Sequence, residues 1–423
     1  MSALHQTHKI SENEQARALW ISTVAFTICF AVWTIFSIIG VRIKDELGLS
    51  EAEFGLLIGM PILTGSIVRI VLGIWTSRFG GRLVYTVTMA AAAVATFLLA
   101  HATTYAQMLL AGLGVGLAGG SFAVGVAYVS PFFPPEKQGT ALGIFGAGNV
   151  GAAVTKFLAP LLLVPFGWQV VAEVWAAALL LTAAVFWFTT EDDPQFIASR
   201  RQRGARRSLA AEFEPLRNVQ VWRFALYYFF AFGGFVALAL WLPRYLVGVY
   251  DFRIETAGMI AAAYSIPGSI FRAYGGALSD RIGARKIMYA MFAVSACATL
   301  ILSVPAGQAG GAIPIAVTPA LFVVTIFVLG FVMSLGKAAV YKHIPAYYPN
   351  HVGAVGGVVG MMGGLGGFCL PIAFGFLKDV TGLWSSCFML LFAIVAVSLV
   401  WMNASIRQFN RRAEAAPAGA YAR

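Results

Sequence analysis

The sequence predicts an all-α membrane protein with twelve transmembrane helices in two pseudo-symmetric six-helix halves. Three observations support this fold class. The 423 residues are 59% hydrophobic and only 11% charged, apolar runs of about 20 residues recur along the chain, and one stretch of sequence occurs twice. Soluble domains carry about 25% charged residues, so this composition excludes a soluble enzyme.

The apolar runs define twelve predicted membrane spans, numbered 1 to 12 in chain order. A run of about 20 apolar residues is long enough to cross the hydrocarbon core of a bilayer. The spans lie at residues 20–40, 53–76, 83–103, 105–130, 138–164, 168–190, 221–247, 255–279, 286–304, 317–345, 351–377 and 384–406. An even number of spans places both termini on the same side of the membrane.

The basic residues predict which side that is. The net charge is +11, and the bases cluster in short segments between apolar runs, for example at Arg82, at Arg285 and Lys286, and in the linker after span 6. Cytoplasmic loops of membrane proteins carry an excess of Lys and Arg. We therefore expect a multi-pass protein of the cytoplasmic (inner) membrane with both termini in the cytoplasm. This distribution does not favour nucleic-acid binding.

The same pattern predicts the domain boundaries. A polar cytoplasmic segment precedes the first half, a basic cytoplasmic linker joins the two halves, and a cytoplasmic tail follows the second half. The predicted ranges are 1–19 for the N-terminal segment, 20–190 for the first six-helix half, 191–220 for the linker, 221–406 for the second half and 407–423 for the tail.

An internal repeat supports the two halves. Gly65–Arg82 reads GSIVRIVLGIWTSRFGGR and Gly268–Arg285 reads GSIFRAYGGALSDRIGAR, with eight of eighteen positions identical at a displacement of 203 residues. A second pair, PFFPPEKQGTALGIFG from Pro131 and PAYYPNHVGAVGGVVG from Pro345, relates spans 4 and 5 to spans 10 and 11. Parallel repeats about an axis along the membrane normal occur in transporters whose site lies between the halves.

Each copy of the first repeat ends in a turn of the form Gly-x-x-x-[Asp/Ser]-Arg-x-Gly-x-Arg. We interpret this turn as a gating motif that is formed by Gly73 and Arg78 in the first copy and by Gly276, Asp280 and Arg281 in the second. The first copy has Ser77 where the second has Asp280.

The repeat also carries one arginine inside each apolar helix. Arg69 and Arg272 lie eight residues before Ser77 and Asp280, which is about 12 Å from the end of the helix at 1.5 Å per residue. A charge at this depth costs several kcal/mol unless it faces a wet cavity or a counter-ion. Spans 2 and 8 supply no buried carboxylate, so we expect the two guanidinium groups to face each other across a central cavity as an anion site.

The remaining motifs leave one question open and exclude several classes. The many glycines of spans 5 and 11 indicate either tight helix packing or a narrow cavity for a small planar ion, and the sequence favours both equally.

The four cysteines lie singly in apolar segments without neighbouring histidines. We find no nucleophile, metal cluster or cofactor motif, and therefore predict no catalytic residue, no metal, no cofactor and no enzyme.

Over residues 20–406 the sequence resembles the nitrate/nitrite porters (NarK type) of the major facilitator superfamily. Two segments carry the resemblance, AGLGVGLAGGSFAVGVAYVSPFFPPEKQGTALGIFGAGNVG at Ala111–Gly151 and GKAAVYKHIPAYYPNHVGAVGGVVGMMGGLGGFCLP at Gly336–Pro371. The resemblance implies the major facilitator fold and a nitrate or nitrite substrate. Ser121 stands where many members have Asn.

The resemblance also implies the substrate-binding residues. Arg69 and Arg272 match the paired substrate arginines, and Asn149 matches a polar contact of span 5. An aromatic wall is implied at Phe122, and the tyrosine and phenylalanine four residues apart in span 7 are Tyr228 and Phe232. Independently of the family, a guanidinium fork donates paired N–H bonds to planar oxyanions and keeps its charge.

Further ionisable residues within the spans suggest proton coupling. Lys337 lies at the depth of the two arginines, where a desolvated lysine loses its proton more easily, while Lys156 and Glu173 lie on adjacent helices where they form either an ion pair or part of a gate. These residues resemble the proton-linked branch of the family. We predict a monomeric nitrate/proton symporter that works by alternating access, with a nitrate/nitrite antiporter or another small-anion carrier as alternatives.

Overall fold

The computed structural model describes residues 11–192, 196–197, 214–305, 317–348 and 352–415. All regular elements in these ranges are helices. Eleven of the twelve predicted spans form helices or helix groups that are long and apolar enough to cross a membrane. The predicted all-α membrane architecture is therefore confirmed for the described residues.

Several spans consist of more than one helix. In the first six, the helices are Glu12–Trp33 and Phe36–Leu47 (span 1), Glu51–Phe79 (span 2), Gly81–Ala100 (span 3), Tyr105–Val115 and Leu117–Val129 (span 4), Pro135–Gly146, the 3-10 segment Ala147–Val150 and Gly151–Phe166 (span 5), and Trp168–Thr189 (span 6).

The last six spans contain one π-helical segment and one break. Their elements are Val219–Tyr228, the π segment Phe229–Gly234 and Phe235–Tyr250 (span 7), Ile254–Ile270 and Arg272–Ile282 (span 8), Ala284–Leu302 (span 9), Pro319–Tyr347 (span 10), Val352–Thr381 (span 11) and Ser386–Ala415 (span 12).

The break in span 8 differs from the continuous helix that the sequence predicts. Phe271 leaves the helical conformation, with φ −73° and ψ 2°, so neither of the two flanking helices is long enough to cross a membrane. Pro267 lies one turn earlier and has no N–H to donate within the helix. The consequence is that Arg272 becomes the first residue of a separate helix of 11 residues.

The first and last helices extend further than the hydropathy pattern predicts. Span 1 already begins at Glu12, because the Ser11 hydroxyl accepts from the Glu14 N–H and the Glu14 carboxylate accepts from the Ser11 N–H, a capping box that stabilises the helix start. Span 12 continues to Ala415. Residues 1–10, 193–195, 198–213 and 416–423 of the predicted terminal segments and linker lie outside the described residues.

Glycines allow spans 2 and 11 to pack in close contact near the end of the bundle opposite the termini. A methyl group at Gly55 would lie 2.4 Å from the carbonyl oxygen of Pro371, and one at Gly375 would lie 2.1 Å from that of Glu51. Toward the end that carries the termini, a methyl group at Gly357 would meet nothing within 4 Å. The two helices therefore converge at one end of the bundle and separate at the other.

This packing predicts that alanine at Gly55 lowers the thermal stability of the protein and that alanine at Gly357 does not. Gly55→Ala places its methyl group against backbone, and overpacking of this kind costs about 1–3 kcal/mol. We expect a melting temperature a few degrees below that of the parent protein in detergent, whereas Gly357→Ala should leave it unchanged. Equal melting temperatures for both variants would contradict the close packing of spans 2 and 11.

Candidate functional site

The first predicted substrate arginine is buried in the centre of the bundle. Arg69 is 8% exposed. Its Nε donates to the Gly119 carbonyl of span 4 and its Nη1 to the Gly360 carbonyl of span 11, both at 3.4 Å. These bonds are long for N–H donors, and a guanidinium has five N–H groups. Arg69 therefore retains donors for a ligand.

Three aromatic rings surround the Arg69 guanidinium. Its carbon lies 5.4 Å from the ring centroid of Phe232, 5.5 Å from that of Trp33 and 5.8 Å from that of Phe122. Each distance is within the range of a cation–π interaction. The rings stabilise the charge without neutralising it, so the arginine stays available to an anion.

The second arginine shares one of these rings. The Arg272 guanidinium carbon lies 5.5 Å from the centroid of Phe122 and 5.9 Å from that of Tyr341. Arg272 forms no hydrogen bond or ion pair with the described residues. Both guanidinium groups therefore lie near the same ring, that of Phe122.

The tyrosine and phenylalanine of span 7 lie beside this pair. Tyr228 and Phe232 stack with a centroid distance of 5.2 Å and an interplanar angle of 5°. Tyr228 directly precedes the π segment Phe229–Gly234, and Phe232 lies within it. Tyr341 packs edge-on against Tyr228 at 4.9 Å, and its hydroxyl donates to the Gly356 carbonyl. Such π segments occur frequently at functional sites.

Asn149, the predicted polar contact of span 5, carries a buried amide donor without a partner among the described residues. The residue is 1% exposed, it lies in the 3-10 segment Ala147–Val150, and its Nδ2 has no hydrogen-bond partner. A methyl group at Gly146, three residues earlier, would lie 3.7 Å from Nη1 of Arg272. An unpaired buried amide costs about 1–3 kcal/mol, which a bound acceptor would recover.

The charges at this site are not compensated by the part of the protein that the structure describes. No carboxylate among the described residues lies within 4 Å of Arg69, Arg272 or Lys337. The two guanidinium cations repel each other and attract an anion, since their interaction is weakly screened in an apolar bundle. The arrangement is that of an anion-binding site with aromatic walls.

Lys337 lies next to the break in span 8. It is 0% exposed, its Nζ donates to the carbonyl of Gly268, and the same atom lies 3.4 Å from the ring centroid of Phe235. In a continuous helix the Gly268 carbonyl would accept from the N–H of Arg272. Lys337 thus satisfies a carbonyl that the break at Phe271 exposes.

The ion pair that the sequence suggests between Lys156 and Glu173 is not formed. Lys156 is 0% exposed and its Nζ donates to the Ala152 carbonyl of its own helix at 3.1 Å. The neighbouring Thr155 is the residue that faces span 6, where it accepts from Trp175 Nε1 at 3.0 Å. Lys156 is rotated by about 100° from Thr155 around the helix, and no described carboxylate lies within 4 Å of its Nζ.

The predicted gating motif is only partly described. A methyl group at Gly73 or Gly276 would meet nothing within 4 Å, and Arg281 is exposed at the end of its helix. The side chains of Arg78 and Asp280 lie outside the described part of the chain. The gating role of this motif stays a prediction.

The sequence reasoning missed two aromatic residues of the site. Trp33 lies between spans 1, 2 and 4, its Nε1 donates to the Pro61 carbonyl at 2.8 Å, and a methyl group at Gly65 would lie 2.6 Å from that nitrogen. In the second copy of the repeat, a methyl group at Gly268 would lie 2.1 Å from the ring of Phe235. These contacts join residues of different spans, so the sequence carried no direct signal for them.

Tyr341, the second missed residue, left a signal in the sequence. It follows Lys337 by four residues, so both lie on the same face of span 10. An ionisable residue in a membrane span marks that face as functional, and the next aromatic on the face is Tyr341.

Charged residues close the bundle at the end opposite the termini. The Glu51 carboxylate lies 2.8 Å from Nη2 of Arg244 and 3.4 Å from Nζ of Lys44. The Asp379 carboxylate accepts from the N–H groups of Glu51 at 3.3 Å and Ala52 at 2.8 Å. This cluster, named the charged latch, joins spans 1 and 2 to spans 7 and 11.

Comparison with known proteins agrees with the fold. The model of the Major Facilitator Superfamily matches residues 21–307 and 252–420. A bacterial homologue of the human lysosomal transporter Spinster has a TM-score of 0.73 at 16% identity, covering 95% of this chain and 98% of that one. The nucleoside transporter NupG has a TM-score of 0.70 at 15% identity, covering 92% and 99%. The chain is a membrane transporter of the major facilitator fold.

The sequence relatives are more specific. The chain is 42% identical to the probable nitrate/nitrite antiporter NarK1 of Thermus thermophilus, covering 93% of this chain and 92% of the relative. It is 29% identical to the nitrite extrusion protein of Bacillus subtilis, covering 92% and 95%, and 28% identical to the probable nitrate transporter NarT of Staphylococcus haemolyticus, covering 91% and 95%. The chain therefore belongs to the nitrate/nitrite porter (NarK-type) family and is a transporter, not an enzyme.

The charged latch leads to a prediction about the conformational equilibrium. Glu51→Gln leaves Arg244 and Lys44 without a counter-charge, and removing one partner of a largely buried ion pair destabilises the contact. We expect a larger fraction of molecules that are open at this end, which can be measured as longer distances between spin labels at Leu47 and Leu383.

A matched control separates the latch from a general effect of charge removal. Glu255 pairs with Arg253 at 2.8 Å within the second half of the chain, so Glu255→Gln should leave the label distances unchanged. If both substitutions shift the distances equally, or if neither does, the latch does not hold this end closed.

Proposed function

We propose that the protein transports nitrate across the cytoplasmic membrane by alternating access. The observation that supports this proposal best is the pair of guanidinium groups, buried Arg69 and partly buried Arg272, which both lie near the ring of Phe122 and lack a described carboxylate partner. Membership of the nitrate/nitrite porter family and the names of the relatives agree with such a substrate.

The chemistry of nitrate fits this site. Nitrate is a planar monoanion whose oxygens accept N–H bonds, and a guanidinium is a planar donor fork that stays charged. Phe122 and Phe232 supply flat apolar surfaces beside these donors, and the Nδ2 of Asn149 supplies one further N–H. A larger or more strongly hydrated anion would have to lose more solvation than these groups replace.

Alternating access follows from the distribution of contacts. In this structure the charged latch and the close packing of Gly55 and Gly375 seal one end of the bundle, while Gly357 borders open space toward the other. An anion between the arginines relieves their repulsion and thereby permits the helices to close around it. Opening of the latch then exposes the anion to the opposite side.

We propose the orientation and the assembly from the sequence. The basic segments that follow spans 2, 6 and 8 assign the end with the termini to the cytoplasm. The protein is then a monomer of the inner membrane, with the charged latch at the periplasmic surface. In this orientation the site is closed toward the periplasm.

We further propose that uptake is coupled to protons, with Lys337 as the coupling residue. Lys337 is fully buried, lies within hydrogen-bond distance of a backbone carbonyl and lacks a described carboxylate, so it is the cation that can change charge near the two permanently charged arginines. Lys156 and Glu173 remain secondary candidates. The alternative is nitrate/nitrite exchange, which the name of the Thermus thermophilus relative favours.

Transport assays in proteoliposomes distinguish these two modes. We expect an inward proton gradient alone to drive nitrate uptake in the parent protein. Lys337→Met should abolish this uptake and retain nitrate counterflow, because exchange needs no change in protonation. Lys286→Met, at an exposed lysine, should take up nitrate like the parent protein. Uptake that requires internal nitrite, or unchanged gradient-driven uptake in Lys337→Met, would contradict proton coupling through this residue.

The substrate assignment can be tested by an arginine-to-lysine substitution. Arg69→Lys keeps the charge but removes the planar fork, and hydrogen bonds to charged groups contribute about 1.5–3 kcal/mol. We expect nitrate affinity to fall by about tenfold to a hundredfold, as measured by calorimetry or by competition. Arg253→Lys, at an exposed ion pair, should bind nitrate like the parent. Unchanged affinity in Arg69→Lys would contradict the assignment.

A further inference from the structure

A second basic cavity lies at the end of the bundle that carries the termini, apart from the paired-arginine site. Its volume is about 170 Å³, and it is partly open to the surface. It lies between spans 7, 9, 10 and 12, and its basic lining residues are Arg223, Arg285 and His343. None of the predicted nitrate-binding residues lines it.

The arginines of this cavity have no partners in the described part of the chain. The Nε of Arg223 is buried without a hydrogen bond, no ion pair or hydrogen bond involves Arg285, and neither has a described carboxylate within 4 Å. A buried unpaired donor on a charged group is costly. The cavity is thus built to receive an acceptor with negative charge.

The corresponding corner of the first half provides an internal comparison. Arg82, which the repeat relates to Arg285, donates to the Trp187 carbonyl from Nε at 3.1 Å and from Nη2 at 2.5 Å. Arg17, at the start of span 1, pairs with Glu191 at 2.7 Å. Arg17 and Arg82 are therefore satisfied by the protein, whereas Arg285, the repeat-related counterpart of Arg82, borders a cavity.

The other walls of the cavity indicate the kind of anion. The apolar side chains Phe224, Met288 and Met402 line it together with the polar Gln220 and Ser405. The ring of His343 stacks on Phe224 at 5.6 Å with an interplanar angle of 8°, so the imidazole is held in place beside the arginines. A ligand that fits has a compact anionic group and an apolar portion near it.

We infer that this cavity binds a phosphate group. Phosphate oxygens accept paired N–H bonds from arginine, and basic pockets between transmembrane helices bind anionic lipid headgroups. The phosphate belongs either to an anionic phospholipid, whose glycerol and acyl portions contact the apolar wall, or to a free phosphate ion. A bound phosphate ties together the ends of spans 7 and 9 through Arg223 and Arg285.

Thermal stability of the purified full-length protein tests this inference and distinguishes the two sources. The probes are phosphatidylglycerol, phosphatidylcholine and inorganic phosphate, each added in detergent. We expect phosphatidylglycerol to raise the melting temperature by about 2–5 °C, phosphatidylcholine to have no effect, and the double variant Arg223→Gln/Arg285→Gln to lose the increase. An equal increase with inorganic phosphate would assign the site to the free ion.

Controls keep the test interpretable. Lys286→Gln removes one charge beside Arg285 on an exposed residue that does not line the cavity, and it should keep the full increase. If the double variant does not fold, Arg285→Gln alone should reduce the increase, because Arg285 is exposed and its removal leaves the core intact. The inference is overturned if neither phosphatidylglycerol nor inorganic phosphate raises the melting temperature, or if the arginine variants show the same increase as Lys286→Gln.

Discussion

Repulsion between two guanidinium groups inside the helical bundle, one buried and one partly buried, is the constraint on which the centre of this protein depends. Arg69 and Arg272 carry permanent charges at the depth where a membrane protein solvates charge least. The protein answers with aromatic faces, backbone carbonyls and one unpaired amide, none of which carries a negative charge. The described residues therefore leave the positive charge of the two arginines without a negative partner, which is the condition that the proposed anion would satisfy.

The closed end of the bundle satisfies its charges differently. At the latch, Glu51 and Asp379 bind cations and backbone N–H groups from the other set of spans, so opposite charges are paired across the contact. Pairing of this kind is reversible, because each group can be hydrated once the surface opens. The two regions thus differ in their charges. The arginines in the centre lack a described negative partner, whereas the charges of the latch are paired in a contact that can break and re-form.

The sequence predicted the parts of the site that leave a one-dimensional pattern. The repeat marked Arg69 and Arg272 as candidate residues, and the family segments marked Phe122 and Asn149, because these signals depend on spacing and residue type alone. The hydrogen bond from Lys337 to the Gly268 carbonyl depends on the rotation of span 10 about its axis, which the sequence does not give. The break at Phe271 depends on a local backbone conformation that a hydropathy pattern does not record. The expected Lys156–Glu173 pair is absent for the same reason, since adjacency of helices does not fix the rotation of either one.

The break in span 8 makes the two arginines mechanically unequal. Arg69 lies in the middle of the uninterrupted helix Glu51–Phe79, so its position is fixed by packing on both sides. Arg272 opens the short helix Arg272–Ile282, where the positive end of the helix dipole adds to its charge. A change in the backbone angles of Phe271 would move the helix Arg272–Ile282 as one unit while Arg69 stays in place. Such a change at a single residue would alter the distance between the two guanidinium groups.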